Sequence, residues 1–159
     1  MSTVLTSTFT FGAGSIYATL SGNNGTVARA LTLRQPSFMA LAIASGGDAS
    51  HNAVREATVL GSNTLLTSGM VAVGDGSVTG NDYKALTECF VSNANPAQLP
   101  ANLVYAASTS GANDGFSLTS CELFNFAHTG VLVAAGNGNH WTISNNSFYY
   151  NAAALPTAA

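Results

Sequence analysis

Short apolar segments recur along this chain with one internal pattern. Ala28–Leu33, Val54–Val59, Leu86–Val91, Leu118–Leu123 and Ile143–Phe148 are each mostly apolar at their first, fourth and sixth positions. The first positions fall at 28, 54, 86, 118 and 143, so the middle intervals are equal and the outer two are shorter. Between them lies a second set of apolar strands: Leu41–Ile43, Met70–Val73, Leu103–Ala106 and Val131–Ala134. Each of these runs into a stretch rich in Gly, Ser and Asn, such as Gly74–Ser77 or Gly136–Asn139. The unit is strand, turn, strand, loop, with a period that belongs to solenoids and arrays. Ala49–Val59 is the one candidate helix, and its second half already belongs to the repeat.

Stacking such units in one direction predicts an all-β fold, a parallel β-helix (β-solenoid) of about five or six rungs. Equivalent side chains then form columns about 4.8 Å apart from rung to rung. The predicted columns are Ala28/Val54/Leu86/Leu118/Ile143, Leu31/Ala57/Cys89/Cys121/Asn146 and Leu33/Val59/Val91/Leu123/Phe148. The first and third are apolar ladders; the second is small or thiol-bearing and ends in a polar Asn. An antiparallel sandwich also uses short strands at regular spacing. Tight Asn-Gly and Asp-Gly hairpin turns are scarce, however, and the likeness between whole units in one direction is what stacking explains. The boundaries that follow are a single β-helix domain over 1–151 and a tail or linker over 152–159.

Composition narrows the function more than it narrows the fold. The 159 residues carry 4 basic and 7 acidic side chains, a net charge of −3. Arg29, Arg34, Arg55 and Lys84 are scattered, which argues against nucleic acid as a partner, since a phosphate-neutralising groove needs clustered cations. No apolar run approaches the roughly 20 residues of a membrane span. The opening Met1-Ser2-Thr3-Val4 has no basic segment followed by an apolar one, so no signal peptide is visible in this chain. The uncharged surface rich in Thr and Asn nevertheless points to an extracellular or cell-surface setting, with the chain as a mature portion or an excerpt. Two cysteines are too few for a disulfide scaffold, and Cys89 and Cys121 read as buried thiols acting as small apolar residues.

Candidate chemistry is sparse. Glu56 and Glu88 share one repeat position, a single period apart, so stacking sets them on adjacent rungs. Paired carboxylates are an arrangement in which one serves as acid and the other as base. A bound Ca²⁺ would want six to eight oxygens, and the next equivalents are Ser120 and Asn145; Arg55 beside Glu56 offers simple neutralisation instead. Asp82 and Asp114 stand at the same interval, after Asn in Gly80-Asn-Asp82 and Ala112-Asn-Asp114. They read either as a cation site between adjacent loops, joined by Asp75, or as turn residues bonding their own backbone. His51, His128 and His140 lack metal-ligand spacing, and Gly74–Gly80 is one residue too long for a dinucleotide fingerprint. No cofactor is implied. Phe124, Phe126, Trp141, Phe148, Tyr149 and Tyr150 crowd the C-terminal part, where they pack on rungs or offer faces to sugar rings. Asn24-Gly-Thr26 and Asn145-Asn-Ser147 match the glycosylation sequon.

Three stretches carry a resemblance: His51–Asn63, the Asn-Asp pairs at 81–82 and 113–114, and above all Trp141-Thr-Ile-Ser-Asn-Asn-Ser-Phe-Tyr149. Over roughly residues 15 to 151 the chain resembles the right-handed parallel β-helix repeats of large secreted bacterial surface proteins, in the pectate-lyase-like superfamily. The resemblance implies a right-handed coil and no shared catalytic set. The expected function is a non-catalytic extracellular structural or adhesive module. Without an amphipathic capping helix at Met1–Phe11 or after Tyr150, the expected partner is itself, stacked end to end into filaments, or neighbouring rungs of a longer chain. The alternative is a polysaccharide-binding or polysaccharide-cleaving module, as a polysaccharide lyase or glycoside hydrolase, with carbohydrate as partner. Ice binding would need Thr repeated at one position, whereas Thr32, Thr58, Thr87, Thr119 and Thr142 fall at different ones.

Overall fold

The computed structural model describes residues 7–74, 76, 78–108, 111–134 and 138–151. These residues form fifteen strands and no helix. The first rung holds β1 (Ser7–Phe11), β2 (Thr19–Ser21) and β3 (Leu31–Gln35). The second holds β4 (Leu41–Ser45), β5 (Ala53–Arg55) and β6 (Ala57–Gly61); the third, β7 (Val71–Val73), β8 (Ala85–Thr87) and β9 (Phe90–Asn93). The fourth holds β10 (Asn102–Ala106), β11 (Ser117–Thr119) and β12 (Glu122–Phe124), and the fifth β13 (Thr129–Val133), β14 (Thr142–Ser144) and β15 (Ser147–Tyr149). Strands pair only with their counterparts in adjacent rungs, giving three five-stranded sheets. Every pairing between named strands is parallel, as in Val54↔Leu86 and Leu118↔Ile143. The fold is a parallel β-helix of five rungs.

A rung has three strands where the sequence suggested two, because the repeated six-residue segment spans a corner. Its third residue is Glu56, Glu88, Ser120 or Asn145, with φ of 48°, 54°, 54° and 57°. A non-glycine residue in this left-handed region costs about 1 kcal/mol or more. The first three of these corners recover a rung-to-rung bond. Glu56 N–H donates to Thr87 O at 2.9 Å, Glu88 N–H to Thr119 O at 3.0 Å and Ser120 N–H to Ser144 O at 3.2 Å. The turn also explains the apolar pattern. An uninterrupted strand would bury positions one, three and five, whereas the corner shifts the phase to one, four and six.

The interior column of the second sheet contains Val54, Leu86, Leu118 and Ile143 as expected, but its first-rung member is Leu20 and not Ala28. The chain inserts a loop, residues 23–29, between β2 and β3. Gly22 N–H still makes the corner bond to Arg55 O at 2.9 Å, and a Cβ on Gly22 would overlap the Glu56 carbonyl. Asn23 and Asn24 then hold the loop by accepting Gly25, Thr26 and Val27 N–H groups, and Ala30 N–H closes it on Gly22 O at 2.8 Å. The other two columns hold as read. Leu33, Val59, Val91, Leu123 and Phe148 align, and the thiol column ends with Asn146 Oδ1 accepting Cys121 N–H at 2.8 Å. Leu118, Val59, Val91 and Leu123 are wholly buried.

Candidate functional site

The turn that leads from the first sheet into the second gathers most of the polar residues singled out from the sequence. Its inner side is held by stacked, buried asparagines. Ala49 N–H donates to Asn81 Oδ1 at 3.0 Å, and Asn81 N–H donates to Asn113 Oδ1 at 2.8 Å. One residue on, Asp82 N–H donates to Ser50 Oγ, Asp114 N–H to Asp82 Oδ1 at 2.8 Å, and Asn139 N–H to Asp114 Oδ1 at 2.6 Å. Asp82 and Asp114 therefore form a ladder, each carboxylate receiving the backbone of the next rung. Such a bond to an ionised acceptor is stronger than a neutral one. Asp75 lies outside the described residues, as do Met1–Thr6 and the tail 152–159.

The next residue in each rung adopts a left-handed conformation: Tyr17, His51, Tyr83, Gly115 and His140, with φ of 56°, 56°, 52°, 69° and 58°. Three of these side chains stack outside the coil, Tyr17 on His51 at 4.6 Å and His51 on Tyr83 at 4.8 Å between ring centroids. A Cβ on Gly115 would meet the Tyr83 ring in its present position, so glycine leaves that ring its place at this rung.

One residue further the chain turns inward, and the column reads Ala18, Asn52, Lys84, Phe116 and Trp141, in line with the bonds Ala85 N–H to Asn52 O and Ser117 N–H to Lys84 O. Asn52 Oδ1 accepts Ala18 N–H at 2.8 Å, and Phe116 stacks on Trp141 at 4.7 Å. Lys84 is 4% exposed. Its ammonium donates to Ala49 O and lies 5.8 Å from the centroid of Phe11. Burial lowers its pKa from 10.5 to about 8, against the opposing attraction of Asp82. Beside it is a cavity of about 20 Å³ lined by Phe11, Ile43, Val54 and Phe116 as well as Asn52. A lone lysine in a sequence reads as surface, so nothing in the chain marked Lys84 as internal.

Glu56 and Glu88 do stand at one corner on adjacent rungs, outside the coil. Glu56 Oε1 accepts Asn23 Nδ2–H at 2.7 Å. Glu88 is exposed, and its carbonyl accepts Arg29 Nε–H at 2.9 Å. The Arg29 guanidinium lies 3.8 Å over the Phe90 ring. Phe124 and Tyr149 stack at 5.0 Å and 8° on the same outer face, and the Tyr149 hydroxyl donates to Glu122 Oε2 at 2.7 Å. Burial and that bond raise the Tyr149 pKa. Cys89 and Cys121 are both buried in the coil. The hydrogen bond with Cys121 and burial push the Cys89 thiol up, which keeps it protonated and inert as a nucleophile. His128 Nδ1 pairs with Thr129 Oγ1 at 2.8 Å. Among the described residues, no three His, Cys, Asp or Glu side chains gather as a metal site would require.

No family model, curated protein or solved structure matches the chain.

Proposed function

We propose that this chain is a non-catalytic structural module of an extracellular or cell-surface assembly, built as a β-helix of the kind its repeats resemble. The carrying observation is the Asp82–Asp114 ladder. The acidic side chains that the repeat keeps on neighbouring rungs accept backbone N–H groups of the next rung, so they hold the coil together. The paired glutamates are divided in the same way, Glu56 fixing the inserted loop and Glu88 facing solvent.

The test is incubation with pectin-like and other polysaccharides, with and without Ca²⁺. No cleavage is expected. Cleavage abolished by Glu56→Gln or Glu88→Gln would overturn the reading in favour of a polysaccharide lyase or glycoside hydrolase. A second reading, polysaccharide binding, is favoured by the outer row of Phe90, Phe124 and Tyr149 with Arg29 and Glu122 beside it. Retarded migration in polysaccharide gels that Tyr149→Ala restores to normal would establish it.

A further inference from the structure

The two ends of the coil expose different amounts of the same columns. Among the described residues, β13, β14 and β15 each end a sheet with one edge unpaired, and β1, β2 and β3 do so at the opposite end. On rung five two inward residues are half-exposed, Ile143 at 47% and Phe148 at 45%, although their column neighbours Leu118 and Leu123 are fully buried. What covers Leu118 and Leu123 is the rung above them. The surface that would cover Ile143 and Phe148 is therefore another rung of the same kind.

We infer that the open face of rung five binds the first-rung face of a second copy, head to tail, in the register that already joins the rungs within the molecule. This rests on the structural reading above. The columns supply the complementarity. Val131 and Ile143 share columns with the half-buried Phe9 and Leu20, so a copy stacked in the same direction sets apolar on apolar at the first and second sheets; at the third, Phe148 shares its column with Leu33, which is already buried within its own molecule. Like ends cannot do this, because they would meet with strands reversed and columns out of line. The edges also lack the usual blockers. The six terminal strands contain no Lys and no Pro, and Arg34 is their one charged residue. Arg34 does not block the edge, because its guanidinium is turned toward rung three of its own molecule, where it donates to Ala94 O at 2.7 Å. A contact between unlike faces does not close on itself, so it propagates into a filament.

The register is tested with the full chain carrying Thr19→Cys and Thr142→Cys. Both threonines are exposed and share one column. Within a molecule they are four rungs apart, about 19 Å at the spacing of stacked strands, too far for a thiol cross-linker spanning about half that length. A ladder of covalent multimers is expected, with none from either single variant. A dimer cross-linked through Thr19→Cys alone would mean that like ends meet, and would overturn the register. Two further variants test the polarity, with circular dichroism confirming that each is folded. Ile143→Lys and Leu20→Lys should each be monomeric by light scattering, while their equimolar mixture forms a 1:1 dimer and stops, since each retains one working face. Should Leu20→Lys fail to fold, the cross-linking result decides alone. Wild-type protein that stays monomeric at every concentration, without cross-linked products, would sink the inference and leave the non-catalytic reading standing. Polysaccharide cleavage would do the reverse.

Discussion

Two columns, one within the second sheet and one at its entry, lie two residues apart and obey different rules. One runs Leu20, Val54, Leu86, Leu118, Ile143, apolar throughout. The other runs Ala18, Asn52, Lys84, Phe116, Trp141, and passes from small to amide to ammonium to aromatic. Both share the same backbone ladder. The apolar column fixes register, because a slip by one residue would turn every member of it outward. With register fixed, the neighbouring column has only to fill space and satisfy its own polar atoms. Asn52 does so by bonding the rung below, Phe116 and Trp141 by stacking, and Lys84 by donating to Ala49 O beside a small void.

Substitutions separate the two rules. The largest effect is expected from Leu118→Asp, which would put an unpaired carboxylate at a fully buried site. Such burial costs several kcal/mol. Domains are stable by only about 5–15 kcal/mol in all, so the cooperative melt should disappear. A melt like wild type would break the distinction between the columns.

Lys84→Met should act in the opposite direction. With a folded pKa of about 8 against 10.5 for the free side chain, the unfolded chain binds more protons between those values. Wild-type stability therefore carries its full penalty below pH 8, about 3 kcal/mol by linkage before the lost Ala49 bond is offset, and recovers as pH rises toward 10.5. Urea melts should find the variant more stable than wild type at pH 7, with the gap narrowing by pH 9.5. A gap independent of pH would mean that the ammonium is not desolvated.

The smallest effect sharpens the comparison within one column. Ile143→Ala, at the half-exposed end, should cost less than about 1.5 kcal/mol in dilute solution, where Leu118→Ala costs about 2 to 5 kcal/mol. Equal costs would show that the last rung is as well covered as the fourth.

The sequence was legible where side chains repeat at constant spacing. Val54, Leu86 and Leu118 recur at one interval because the rungs between them are equally long, and Asp82 and Asp114 share that interval for the same reason. Leu20 escaped because residues 23–29 displace it from the repeat, which left Ala28 in its apparent place. The left-handed corner was present in the pattern of positions one, four and six, yet it has no residue signature: Glu, Ser and Asn all occupy it, where glycine would have announced a turn. Lys84 was illegible for a different reason. Its burial depends on Phe11, Ala49 and Phe116, which come from three different rungs, and no local pattern records such a meeting.

The way the rungs are joined also governs how the chain must acquire its structure. Every pairing between strands spans a whole repeat of chain, from Ser117 with Thr142 at the short end to Ser7 with Leu41 at the long one. No pairing is as local as a helical turn, so each rung closes a long loop before any ladder rewards it, and folding belongs to the slow millisecond-to-second range of non-local β topologies. No pairing reaches beyond the adjacent rung, either. The expensive event is the first pair of rungs, after which each addition finds a template, and structure grows outward from wherever that pair forms. Unfolding runs the same path backward, with the half-covered fifth rung peeling before the closed ones beneath it.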